Sequence, residues 1–99
     1  MLIEKFIEYL RVEKNYSNHT IIAYKTDLNN FNDFLIQSGT KTKIENIDYK
    51  VIRSWIVKMV NDNISNRTIN RKISSLKSFY KFLIKTDTIK SSPLIAHSP

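Results

Sequence analysis

Residues 65–85 read Ser65-Asn66-Arg67-Thr68-Ile69-Asn70-Arg71-Lys72-Ile73-Ser74-Ser75-Leu76-Lys77-Ser78-Phe79-Tyr80-Lys81-Phe82-Leu83-Ile84-Lys85, and this stretch decides the fold. Ile69, Ile73, Leu76, Tyr80 and Leu83 step by four, three, four and three, the spacing of one helix face. Ser65 stands where a helix needs an N-cap. At ~100° per residue the apolar stripe covers an arc of about 80°. Opposite it lie Asn70, Lys81, Ser74, Arg67, Ser78 and Arg71, with Lys77 at the margin. The stretch contains no acid at all. A solvated helix face normally balances its charges with Glu–Lys pairs at i, i+4. A face that omits them repels itself without structural gain, so an anionic partner is expected there.

Working outward, three more segments carry the same period. The first covers about residues 2–14, with Ile3, Phe6, Ile7 and Leu10 on one side and Asn15 and Tyr16 ending it. The second starts at Ser17 as N-cap and carries Ile21, Tyr24, Leu28, Phe31 and Leu35; Gly39 after Ser38 stops it. A polar loop over 40–47 tucks Ile44 and Ile47 inward. The third starts at Asp48 and carries Ile52, Trp55, Ile56, Met59 and Val60, before Asn61, Asp62 and Asn63 break it. No sustained alternation predicts a strand. Short connections predict antiparallel neighbours. The expected fold is all-α: two helical hairpins around Phe6, Leu10, Tyr24, Leu28, Phe31, Trp55, Met59, Ile73, Leu76 and Tyr80.

Ninety-nine residues are one domain by length. The tail from Asp87 holds Ser91, Ser92, Pro93, Ser98 and Pro99 and reads as a linker, with the chain cut there. The boundaries expected are therefore residues 1–86 for the helical domain and 87–99 for the start of a linker. Without cysteine there is no disulfide framework and no thiolate metal site, which fits a reducing, cytoplasmic setting. No apolar run approaches ~20 residues, so no membrane span is expected. The single glycine, Gly39, excludes a glycine-rich phosphate loop.

Charge is unevenly placed. Residues 1–64 hold nine Lys+Arg and eight Asp+Glu, whereas residues 65–99 hold seven Lys+Arg and only Asp87. The excess of +7 thus sits almost wholly in the last third. Nucleic acid is the first polyanion to consider, an acidic membrane or protein the second. Twelve lysines to four arginines, with fifteen isoleucines and ten asparagines, suggest an AT-rich genome. Such a bias explains Lys in place of Arg, not the disappearance of acids from one segment.

Two helix starts repeat. Ser17-Asn18-His19-Thr20-Ile21 and Ser65-Asn66-Arg67-Thr68-Ile69 match at four of five positions. Convergent capping explains this plainly; presentation of free N–H groups to phosphates is the functional alternative. On the second helix, Asn18 and His19 lie at the start, and His19, Ile22, Lys25, Thr26 and Asn29 lie opposite Tyr24 and Leu28. One charge among polar neighbours is also compatible with plain surface. His19 and His97 lack metal-ligand spacing, and Glu4, Glu8 and Glu13 read as solvated. No nucleophile has a base beside it, so no catalytic constellation and no cofactor site is expected.

The run Phe6-Ile7-Glu8-Tyr9-Leu10, then Ser17, Thr20, Ala23-Tyr24, Asp27-Leu28, Phe31 and Phe34-Leu35, resembles the opening of Xer-type and phage integrase tyrosine recombinases. Ile69, Arg71-Lys72, Ile73-Ser74-Ser75-Leu76, Ser78-Phe79-Tyr80, Phe82-Leu83 and Ser92-Pro93 extend the resemblance over essentially the whole chain. Lys72 departs from the family where a second arginine is common, and Ser92 where asparagine precedes the proline. The resemblance implies a four-helix, SAM-like core-binding domain, half of a clamp around one DNA half-site. It implies that the second and fourth helices face double-stranded DNA. The carried-over candidates are Asn18, His19, Lys25 and Asn29 from the second helix. From the fourth they are Arg67, Asn70, Arg71, Ser74, Lys77, Ser78 and Lys81. It also implies that strand exchange belongs to an absent catalytic domain with a tyrosine nucleophile, working with other recombinase subunits. No His-x-x-Arg occurs here, so this chain itself is expected to be a monomeric, non-enzymatic DNA-binding domain. The competing expectation is a protein-interaction module using an apolar patch of Ile3, Ile7 and Tyr9 on the first helix.

Overall fold

Four helices form in a computed structural model that describes residues 1–94. They are α1 (Leu2–Val12), α2 (Asn18–Gln37), α3 (Tyr49–Asn61) and α4 (Asn66–Lys85), with a 3₁₀ turn (Ile44–Asn46) before α3. No strand occurs among the described residues. Pro99 and His97 of the expected linker lie outside them.

A chain with one glycine still ends every helix in the left-handed region. Asn15 (φ 53°), Gly39 (φ 72°), Asn63 (φ 63°) and Asp87 (φ 59°) follow α1, α2, α3 and α4, spaced 24 residues apart. Asn and Asp tolerate this conformation because short polar side chains bond locally. In each case the next residue's N–H reaches back to a late helix carbonyl: Tyr16 to Leu10 (3.1 Å), Thr40 to Leu35 (2.9 Å), Ile64 to Met59 (3.0 Å) and Thr88 to Leu83 (2.9 Å). These bonds satisfy carbonyls that would otherwise be orphaned at the helix ends. The equal spacing makes two similar hairpins, α1–α2 and α3–α4.

The two 20-residue helices, α2 and α4, pack on each other. Helix α1 lies against both, and α3 packs against α4. Phe6 is the junction of α1, α2 and α4, with ring centroids 5.8 Å from Tyr24, 5.6 Å from Phe79 and 5.4 Å from Phe82. Phe31 meets Trp55 at 4.9 Å and ties α2 to α3. Edge-on and tilted rings of this kind add to plain burial. Tyr80 is fully buried and donates its hydroxyl to the Ile44 carbonyl at 2.7 Å, which pins the 3₁₀ turn onto α4. Burial, with the Glu45 charge second, pushes its phenol far above its ordinary value, so it stays a donor.

The core expected from periodicity is buried, Tyr24 only partly. Three expectations change. The buried arc of α4 covers about half of its circumference, because Lys72, Ser75, Phe79 and Phe82 are also buried. That follows from α1, α2 and α3 all packing on it. Second, Ile3 and Ile7 are buried, and Tyr9 packs on Phe82 at 4.9 Å. Two of the three residues of the patch expected for an interaction module are therefore core, because α1 packs on both α2 and α4, and the third, Tyr9, is half-buried. Third, Val60 is 54% exposed, lying off the side of α3 that meets α4. In the segment read as linker, Asp87, Thr88, Lys90 and Ser91 are exposed, while Ile89 is half-buried and Leu94 is buried against the core.

Candidate nucleic-acid interface

The starts of α2 and α4 are built alike. Ser17 (φ −64°, ψ 158°) accepts from the Thr20 N–H at 3.3 Å, and Ser65 (φ −64°, ψ 150°) from the Thr68 N–H at 3.2 Å. Each serine hydroxyl also meets the threonine hydroxyl, at 3.1 and 3.0 Å. The likeness reaches back to the left-handed Asn15 and Asn63, so seven positions with five identities repeat. Both helices therefore enter the bundle through one turn design. Asn18 is the first residue of α2 and is exposed.

On α4, Arg67, Asn70, Arg71, Ser74, Lys77 and Lys81 are exposed and Ser78 is half-buried. This is the outward face expected from the wheel. One charge on it is not free. Arg71 donates from Nη2 to Asp27 Oδ1 at 2.9 Å and from Nε to Oδ2 at 3.3 Å. Asp27 comes from α2 and is 1% exposed. Its carboxylate also accepts from Ser75 Oγ at 2.7 Å and from Lys72 Nζ at 3.3 Å. Lys72 Nζ in turn donates to Asn30 Oδ1. A buried carboxylate is tolerable only when paired and hydrogen-bonded, and here every lone-pair direction has a donor. The expectation that Arg71 lacks an acidic partner is corrected: the partner comes from another helix, 44 positions away.

The other candidates divide between grooves. His19 and Thr20 of α2 line a groove of about 370 Å³ with Arg71 and Ser74 of α4, and Asp27 lies in its wall. Lys25 and Asn29 line a different groove, between α1 and α2, together with Glu4, Glu8 and Arg11. Helix rotation separates them: residues six positions apart, such as His19 and Lys25, point about 120° away from an identical direction. Ser78 and Lys81 line a third groove, of about 490 Å³, between α1 and α4, where Lys14 and Lys85 add charge. Its floor holds Tyr16 and Tyr24, stacked at 6.1 Å. Lys85 sits 5.0 Å over the Tyr9 ring and donates to its hydroxyl at 3.3 Å. Lys77 and Lys81 also flank the C-terminal segment beside Lys90.

Asp27, Asn30, Lys72 and Ser75 are the residues that periodicity overlooked. The available signal was a polar residue beside an apolar stripe: Lys72 adjoins Leu83 and Leu76 on the wheel, and a buried lysine needs a partner, whereas Ser75 lies about 80° off the stripe and gave no such signal. Among the described residues no group of His, Asp and Glu could hold a metal ion, and no helix is long and apolar enough to cross a membrane.

Comparison with known proteins agrees with this architecture. The family described as phage integrase, N-terminal SAM-like domain, matches residues 3–87. The chain is similar to a protein named tyrosine recombinase XerC from Oceanobacillus iheyensis, 38% identical over 95 residues, covering 96% of this chain and 31% of the relative. A XerC from Bacillus licheniformis is 40% identical over 90 residues, covering 91% and 29%. One from Rickettsia felis is 40% identical over 94 residues, covering 91% and 31%. The chain thus spans about three-tenths of the length of these curated relatives. No solved structure matches.

Proposed function

The chain belongs to the phage integrase N-terminal SAM-like domain family, and from that premise we propose that it is the DNA-gripping part of a site-specific tyrosine recombinase. In this reading α4, with the start of α2, lies against double-stranded DNA at one half-site. Strand cleavage and exchange belong to a catalytic unit and to partner subunits, and this segment supplies affinity and register rather than chemistry.

The observation that carries the proposal is the outward face of α4. Arg67, Arg71, Lys77 and Lys81 follow one another along it, interleaved with Asn70, Ser74 and Ser78, and the helix holds no acid. Phosphate contacts come from cations and set affinity; arginine and asparagine forks suit base edges. Small serines let a backbone approach closely. Asn18, His19, Ser74 and Arg71 form the α2–α4 part of this footprint, and Ser78 and Lys81 continue it toward Lys14 and Lys85. Lys25 and Asn29 belong to its far margin, beside the acids of α1.

The test is a titration onto short duplex DNA, followed by fluorescence anisotropy at several salt concentrations. If about five phosphates are neutralised, log K falls with log[salt] at a slope near −4.5. Replacing Arg67 and Lys77 together by alanine then flattens the slope by about 1.8, since each lost phosphate contact is worth about 0.9. A slope near zero, or no binding at low salt, refutes the reading. The isolated chain is expected to bind more weakly than a full recombinase, because a second clamp domain supplies effective concentration.

A further inference from the structure

The α2–α4 groove contains a device that phosphate binding alone does not require: a buried carboxylate grips its central arginine. We propose that Asp27 is a positioning residue and that Arg71, aimed by it, is the specificity-determining donor of the groove. The inference rests on the DNA-binding reading above and says which contact reads sequence.

A surface arginine ordinarily samples many rotamers, and ordering one on binding costs entropy. Arg71 is held at two points, Nη2 at 2.9 Å and Nε at 3.3 Å from the two oxygens of one carboxylate. Two bonds to a planar group fix its plane as well as its position. The carboxylate is itself immobile. It is 1% exposed, and Ser75 Oγ holds it at 2.7 Å from the next turn of α4. The Nε edge of the guanidinium is thereby committed. Of its five N–H donors, the Nη1 pair and the second Nη2 hydrogen remain for an outside acceptor. That remaining edge is the fork that meets O6 and N7 of guanine. The Arg71 side chain is 54% exposed, in the same groove as His19 and Ser74.

Charge supports the same division of labour. Asp27 carries one negative charge against Arg71 and Lys72, so the cluster keeps one positive charge and still attracts an anion. Lys72, only 11% exposed, stays inside as the second counter-ion. The side chains of Arg67 and Lys77 make no hydrogen bond or ion pair among the described residues and suit non-directional phosphate contact. A charge needed only for attraction gains nothing from a buried acid, which lowers the potential. A direction does.

The experiment selects duplexes from a pool randomised over twelve base pairs, using the 99-residue chain and its D27N, R71K and R67K variants. Affinity for the unselected pool and thermal melting are measured beside it. The wild type is expected to enrich a motif. R71K keeps the charge but loses the fork, so it loses about tenfold discrimination at one position while unselected affinity stays within about threefold. D27N loses discrimination at that same position, and R67K keeps the motif. An R71K protein that enriches the wild-type motif overturns the inference, whether or not D27N folds. A folded D27N protein with the wild-type motif leaves Asp27 as a clasp between helices and also overturns it. Wild type that binds duplexes without preference overturns it too. Wild type that binds no duplex at all removes the DNA-binding reading itself, an outcome distinct from these.

Discussion

At the scale of single residues, two buried polar side chains tie together elements distant in sequence. Asp27 joins α2 to α4 through Arg71, Lys72 and Ser75, and Tyr80 joins α4 to the turn at Ile44. Neither pairing was legible in the sequence, because the partners lie 36 to 48 positions apart and periodicity reports only which face a residue takes. Tyr80 permits a pH test. Its folded-state value is raised, so the folded state disfavours the phenolate; its contribution is complete below the ordinary value near 10 and is lost progressively as pH rises from there toward the raised value. Tyr80→Phe removes the hydrogen bond and is expected to cost about 1 kcal/mol at pH 7. In urea melts repeated near pH ~10.5 the gap between wild type and variant shrinks, since only the wild type must bury an ionising group. A gap independent of pH would contradict this account.

At the scale of elements, helix ends were the part of the structure most readable beforehand. Ser17, Asp48 and Ser65 cap the helices they were expected to cap, and Gly39, expected to stop α2, does so with a positive φ. No side-chain atom would obstruct a Cβ at Gly39, so only the backbone conformation favours glycine there. The positive φ at Asn15, Asn63 and Asp87 was less readable, because Asn and Asp occupy this region without announcing it. The matched geometry of the Ser17 and Ser65 caps leads to matched energetics. Ser17→Ala and Ser65→Ala should each cost about 1 kcal/mol in chemical denaturation. A large loss at one site and none at the other would show that the two turns are alike in shape only. The width of α4's buried face was not readable, since periodicity finds the stripe nearest the core and not the number of helices that will cover it.

At the scale of the whole molecule, the packed unit reaches past the end of α4. Leu94 is 5% exposed and its N–H bonds Ser92 Oγ at 3.0 Å, so the segment after Asp87 covers part of the core. Leu94→Ala is expected to cost about 2 kcal/mol, the lower end for a buried leucine, because a terminal segment can relax into the space. Calorimetry would check this, and an unchanged melting temperature would show that the segment adds nothing to the core. The sequence by itself determined the number, order and starts of the helices, most of the core and the basic face of α4. Those properties follow from hydrophobic period, capping chemistry and charge, all of which act over a few neighbouring positions. Only the tertiary structure decided that Lys25 and Asn29 sit apart from Arg71, and that Arg71 is gripped by Asp27. Those properties depend on how helices distant in sequence are rotated against one another, and that rotation is set by three-dimensional packing.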